Sequence, residues 1–294
     1  MAGAIVRLPP EQLRRAFAAY GDAVAAKRRR TALGGLVLLI AIGAACVSAE
    51  IDPAKFIANI HRFPNYIIGL APTLSWANFT ADLAEWFWDL RHWLRLLGDT
   101  LLIAYLGTLL GFIAAFVLCF AAAANLEKRR SVRFATRRLL EFCRTVPEIV
   151  FALLFVVAFG LGPMPAVLAL SIHSAGTLGK LFAEVVENID MKPVEGVTAT
   201  GATRIAVLRH AVLPQVMANF ASYTLLRFEI NVRSATVIGF VGAGGIGVDL
   251  MVAIRKFYYS DVSAILILII ATVMVIDMLT ERLRHALIDM EQRR

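Results

Sequence analysis

Charge is scarce in this chain. Of its 294 residues only 18% are Asp, Glu, Lys or Arg, and these cluster so that long apolar stretches stay bare. Apolar residues make up 59% with glycine left out, against about 45–50% with glycine counted in soluble domains. The mean hydropathy of +0.70 agrees. A disordered chain is excluded, and a soluble enzyme of one or two domains is a poor fit. Cysteine is scarcer still. Cys46, Cys119 and Cys143 lie in or beside apolar segments without disulfide or metal-ligand spacing, and read as small hydrophobes. What is plentiful is basic charge, +8 net with a pI near 9.8. It stands beside apolar runs, where membrane topology explains it better than nucleic acid does.

A membrane-spanning helix needs about 20 mostly apolar residues. Six such runs are present: Thr31–Ala49, Leu101–Ala124, Val146–Leu161, Ala166–Phe182, Leu213–Val241 and Val262–Thr280. The third and fourth are split by Gly160-Leu161-Gly162-Pro163-Met164-Pro165, a tight turn. Twenty-two of the 30 lysines and arginines precede the first run, follow the second or sixth, or stand from Lys180 at the end of the fourth onward, which puts both termini in the cytoplasm. Val47-Ser48-Ala49 resembles a signal-cleavage site, but nineteen apolar residues behind Lys27-Arg28-Arg29-Arg30 favour an uncleaved anchor. The expected organisation is a basic segment 1–30, an anchor 31–49, an outer-face segment 50–97 and a five-span core 98–294.

Trp76, Trp86, Trp88 and Trp93 recur with Phe79, Leu83, Phe87, Leu90, Leu94 and Leu97 at helical spacing, opposite Asp82, Glu85, Asp89, Arg91 and Arg95. This predicts an amphipathic helix in the outer headgroup layer, either a belt that sets depth or a gate or docking shelf. Gly107 and Gly111 form a small-xxx-small pair that admits another helix closely, without saying which. Gly242-Ala243-Gly244-Gly245-Ile246-Gly247 spells G-x-G-x-x-G, but it closes an apolar span with no βαβ context, so it reads as an unwound helix end. No G-x-x-x-x-G-K-[ST] occurs, so any P-loop ATPase is a separate chain.

Residues 184–214 are too polar to span. Residues 184–190 extend the preceding helix, and Pro193 is expected to break it. Glu195 to Gly201 then makes a short helix with Gly201 as its left-handed cap. Thr203 caps a second helix through Ala211, and Pro214 breaks the chain before it re-enters the bilayer. The result is a compact cytoplasmic knob.

Glu195-Gly196-Val197, three residues, Gly201, nine residues, then Ala211-Val-Leu213-Pro214 resembles the EAA loop of ABC-importer permeases, whose pattern is E-A-A, three residues, G, nine residues, I-x-L-P. Glu195, Gly201, Leu213 and Pro214 match; Gly196, Val197 and Ala211 depart but stay small or apolar. The nearest likeness is to phosphonate-importer permeases, through Arg144-Thr-Val-Pro147-Glu148, His173-Ser-Ala-Gly176-Thr-Leu-Gly179-Lys180, and Arg227-Phe-Glu229-Ile-Asn231-Val-Arg233-Ser-Ala-Thr236. The resemblance starts near residue 95. It implies an all-α, type I importer permease fold of six transmembrane helices in the bacterial inner membrane. It also implies two cytoplasmic ATP-binding subunits coupled through Glu195, Gly201, Leu213 and Pro214, a second permease copy, and an extracytoplasmic phosphonate-binding protein. No cofactor or metal is implied.

An arginine at mid-span costs about 2.5–3.5 kcal/mol on insertion scales, yet the fifth run carries Arg227 and Arg233. Glu229 stands at i, i+4 to Arg233, and Arg227 shares a face with Asn231. One reading places these residues on the pathway of a phosphonate or similar oxyanion, for which a guanidinium fork is suited. The other is an internal salt bridge between helices. His173, beside Ser171 and Ser174, reads as a hydrogen-bonded packing residue or a substrate contact. Asp277 is expected to pair with Arg282 or face water, and Glu148 to stabilise a helix N-terminus or an inner gate. The function read from the chain is ATP-driven import of phosphonate by alternating access, with phosphite, phosphate or another small oxyanion as alternatives. A membrane enzyme using Glu148, His173 and Glu229, or a scaffold, are the rivals from other classes.

Overall fold

The structure, a computed structural model, describes residues 9–292 apart from 51, 73, 74 and 76. The described residues form helices and no strands. They fall into two units, residues 1–67 and 68–294.

The first unit begins with α1 (Pro10–Ser48), 39 residues that run through Lys27–Arg30 into the apolar stretch without a break. Lysine and arginine are good helix formers and no proline intervenes. Two short helices follow, α2 (Pro53–Asn59) and α3 (Arg62–Leu70), the end of α3 lying in the second unit. The Asp52 carboxylate caps α2 by accepting from the Ala54 and Lys55 N–H groups, at 3.0 and 3.1 Å.

The second unit contains α4 (Phe79–Trp86), α5 (Leu90–Ala122), α6 (Arg130–Thr145), α7 (Glu148–Phe159), α8 (Pro163–Glu187), α9 (Met191–Ala199), α10 (Arg204–Val207), α11 (Leu213–Ile238), α12 (Ile246–Arg255) and α13 (Tyr259–Gln292). Among the described residues four helices, α1, α5, α8 and α13, are long and apolar enough to cross a membrane; counting two bent pairs as one span each gives six. The pairs are α6 with α7, bent by 85°, and the 204–241 stretch with α12, bent by 48°. The third expected span, Val146–Leu161, is therefore shorter than the sequence suggested. Its helix has 12 residues, about 18 Å against a hydrocarbon core of about 30 Å. Pro147 opens it, and Gly160, at φ +87°, stops it.

The tryptophan-rich segment is not one amphipathic helix. It breaks at Phe87–Asp89, and Leu90 onward belongs to α5. Trp93 is buried with Leu97, Ile246 and Leu250. The Trp86 indole N–H donates to the Ser260 carbonyl and the Ser263 hydroxyl, and that of Trp88 to Asp261. These indoles join α4 and the break before α5 to the start of α13; the half-buried Trp86 in particular needs a partner for its N–H. Trp76 lies outside the described residues.

Packing centres on α5 against α8. A Cβ added to Gly107 would come 2.6 Å from the Leu170 Cβ, and one on Gly111 2.5 Å from the Ser174 Cβ. The partner of the small-residue pair is thus α8. Nearer the 191–212 hairpin, Phe182 of α8 stacks on Phe220 of α11 with centroids 3.9 Å apart, both fully buried. The glycine-rich run behaves as an unwound helix end. After α11 a 3₁₀ turn covers Gly239–Val241, Gly242 takes a left-handed φ of +83°, and α12 starts with the Ile246 N–H donating to the Thr100 hydroxyl at 2.9 Å.

Candidate functional site: the hairpin at 190–214 and the polar cluster between α5, α8 and α11

The hairpin starts earlier than its motif. The break falls at Asn188–Asp190, where Asp190 accepts from the Lys192 N–H at 3.0 Å and caps α9. Pro193 lies in the first turn of α9, where its missing N–H has no helical partner to lose. It therefore does not break the chain as expected, and Glu195 sits mid-helix, exposed. Gly201 holds φ +78° just past the helix end. The Thr203 hydroxyl accepts from the Ala206 N–H at 3.4 Å and caps α10.

The second arm also differs from expectation. α10 has four residues and continues as a π-helical turn, Leu208–Val212, directly into α11. Pro214 falls in the first turn of α11 and causes no break. The wider π turn draws the carbonyls ahead of Pro214 away from its ring, removing the clash that proline makes in a regular helix. Leu213 is half-buried and packs against the core beside Val212 and Val216.

Polar contacts tie the hairpin to its surroundings. The Gln215 side chain exchanges two hydrogen bonds with the Asp190 backbone, at 3.0 and 3.2 Å. Arg204 donates to Glu127 at 3.0 Å, and Glu127 also accepts from the Arg129 N–H at 3.0 Å. That backbone bond first, and Arg204 second, hold the Glu127 carboxyl below its ordinary value. Arg137 pairs with Glu187 and donates to the Ala122 carbonyl. Between hairpin and the chain after α5 lies a groove of about 800 Å³ lined by Leu126, Met191, Val194, Glu195, Arg204 and Leu208, among others.

The charged residues of α11 separate onto two faces. Arg227 and Asn231 are buried toward α5 and α8. Arg227 Nε donates to the Ser174 hydroxyl at 3.0 Å; Asn231 Nδ2 lies 2.9 Å from the same oxygen and 2.8 Å from the Thr108 hydroxyl. Arg227 Nη2 and Asn231 Oδ1 are buried with no hydrogen-bond partner among the described residues. Glu229 and Arg233 face α13 instead. They pair with each other, Arg233 lies 3.9 Å from Asp277, and the Thr280 hydroxyl donates to Glu229 at 3.5 Å. Of the two expectations for Asp277, pairing with Arg282 is not met: it approaches Arg233 of α11, with 41% of its side chain exposed.

His173 Nδ1 lies 3.1 Å from the Val146 carbonyl and 3.7 Å from Glu148, whose other oxygen accepts from the Ser234 hydroxyl at 2.7 Å. The sequence reading passed over Thr108, Glu127 and the Glu148–Ser234 bond. Thr108 had a signal, since it lies three residues before Gly111 on the small-residue face.

Residues 107–289 match the family described as "Binding-protein-dependent transport system inner membrane component". The chain belongs to this family. It is a permease subunit of an ATP-driven importer, an inner-membrane component and not an enzyme. The permease is 45% identical over 194 residues to the phosphite transport system permease protein PtxC of Stutzerimonas stutzeri, covering 66% of this chain and 70% of that one. It is 56% identical over 117 residues to a putative cryptic phosphonate transport system permease protein, PhnE2, of Escherichia coli, covering 40% and 96%. Among solved structures it is similar to a bacterial alginate ABC transporter in complex with an alginate pentasaccharide-bound periplasmic protein, with a TM-score of 0.55 at 14% identity over 83% of this chain and 92% of that one. That likeness speaks for the fold.

Proposed function

We propose that the permease imports phosphonate, that Arg227 and Asn231 border the path it takes, and that the 190–214 hairpin receives the stroke of the ATPase. The observation that carries the substrate reading is the free donor of Arg227. A guanidinium placed in a span at a cost of kcal/mol, anchored through Nε to Ser174 with Nη2 left over, suits a phosphonate-like oxygen. The two-face arrangement refines the site. Arg227 and Asn231 are its members, whereas Glu229 and Arg233 act as the salt bridge that holds α11 to α13. His173 serves to pack α8 against the start of α7 through Val146 and Glu148.

Both termini face the cytoplasm in this reading, and two permease copies join two ATPases and an external binding protein. ATP binding draws the two hairpins together and opens the path outward, and hydrolysis resets it. Glu195 and Gly201 form the exposed arm of the hairpin, while Leu213 and Pro214 root it in α11. Phosphite is the second reading, favoured by the 45% identity to a phosphite permease over a longer stretch. The test is uptake in proteoliposomes holding the permease with its ATPase, supplied with binding protein and labelled methylphosphonate, phosphite or phosphate. ATP-dependent uptake of methylphosphonate above the other two supports the proposal. Uptake of phosphite alone replaces it with the second reading, and uptake of none of the three overturns it.

A further inference from the structure

α2, and α3 as far as Ile67 where the first unit ends, bury none of their residues. Phe56, Ile57 and Ile60 fall on one side of α2 and its C-cap, with Lys55 and Asn59 on the other. Phe63 and Ile67 stand at i, i+4 on α3, with Asn65 turned away. Phe56, Ile57 and Phe63 are 68%, 68% and 69% exposed. Helices of seven and nine residues do not persist alone in water, and a row of bare aromatic and β-branched side chains asks for an apolar partner.

Chain length names that partner. α1 ends at Ser48 and α2 starts at Pro53. Five residue steps reach at most about 17 Å, so α2 starts within that distance of the bilayer surface where the apolar run of α1 ends, and the lipid there is the apolar phase within its reach. We infer that residues 53–67 lie in the headgroup–acyl boundary of the leaflet reached by the C-terminal end of α1, with Phe56, Ile57, Ile60, Phe63 and Ile67 among the acyl chains. Lys55 and Arg62 then stand at headgroup level, where their charge matches lipid phosphates. The Asp52 cap starts α2 where the chain turns from crossing the bilayer to lying along it. This rests on α1 being a span.

The experiment uses the full permease complex in lipid nanodiscs. In a background with the three cysteines replaced by alanine, Phe63→Cys and Asn65→Cys carry a fluorophore. The label at 63 is expected to be quenched by an acyl-chain spin label and spared by aqueous iodide, and the label at 65 to show the reverse. Unmodified complex in nanodiscs with a lipid bearing a photoreactive acyl chain is expected to give lipid adducts on residues 56–67. Iodide quenching at both positions, shielding of 63 from both quenchers, or adducts on α1 without any on 56–67 overturns the inference. In the same cysteine-free background, reaction of Ile40→Cys, at the middle of the apolar run, with a membrane-impermeant thiol reagent would overturn the premise that α1 is a span.

Discussion

Gly111 and Ser174 meet where α5 crosses α8, with no room between them for a methyl group: a Cβ on Gly111 would stand 2.5 Å from the Ser174 Cβ and 3.0 Å from the Ser171 carbonyl oxygen. The contact does more than close a seam. It fixes the hydroxyl that receives both Arg227 and Asn231, so the small-residue pair of one helix sets the posture of the buried arginine on another.

Gly111→Val should therefore destabilise the permease and disturb the arginine together. Overpacking costs about 1–3 kcal/mol, occasionally more, and the opposing atoms include backbone that cannot swing aside. The expected outcome is a lower melting temperature in detergent and reduced uptake. Gly98→Ala, where a Cβ meets nothing within 4 Å, should leave both unchanged. Equal behaviour of the two variants would refute the tight crossing.

Arg227→Lys keeps the charge and removes the fork. Hydrogen bonds to charged groups contribute about 1.5–3 kcal/mol, so uptake of methylphosphonate should fall roughly tenfold or more while the assembled complex still purifies. Arg233→Lys, on the α13 face, should cost far less uptake. Comparable losses at the two positions would place the pathway elsewhere.

Gly201 supports a conformation that a β-branched residue tolerates poorly. A valine there would face a cost of about 1–3 kcal/mol from its positive φ. Gly201→Val is expected to weaken co-purification of the ATPase or to lower solute moved per ATP hydrolysed. Wild-type values in both measurements would separate the hairpin from coupling.

The Glu127–Arg204 contact carries a pH dependence of known sign. A carboxyl held below its ordinary value contributes stability above that value and loses it as pH falls through the lowered one. The hairpin arm should become more accessible to an acid-tolerant protease only as pH drops below the usual carboxylate range. Glu127→Gln should show that accessibility at neutral pH already, with no further change on acidification. A loosening of the wild type that sets in at neutral pH would contradict the assignment.

The sequence disclosed the helical architecture, most of the spans and the hairpin motif, because apolar runs and fixed Glu–Gly–Pro spacing are one-dimensional signals. It misjudged Pro193 and Pro214, since proline breaks a helix interior but is harmless in a first turn, and the location of that turn depends on Asp190 and on a π turn that no residue pattern announces. It paired Glu229 with Arg233 and set Arg227 on one face with Asn231 by helical spacing, without telling which neighbouring helix each face meets. Arg227 and Asn231 turn toward Ser174 of α8, and Glu229 and Arg233 toward Thr280 and Asp277 of α13. The tryptophans misled for a related reason: Phe87–Asp89 interrupts their periodicity, and only the contacts with Ser260, Ser263 and Asp261 reveal what the indoles do.

From Arg204 to Val241 the backbone is coiled without a joint. A shaft of this kind has no backlash. Twenty-three residues at about 1.5 Å each put Arg227 about 35 Å from the hairpin end, so a tilt of about ten degrees about that end swings it by about 6 Å. A motor working only at the hairpin would thus displace the arginine by a distance on the scale of a small oxyanion, with no flexible hinge to absorb the stroke.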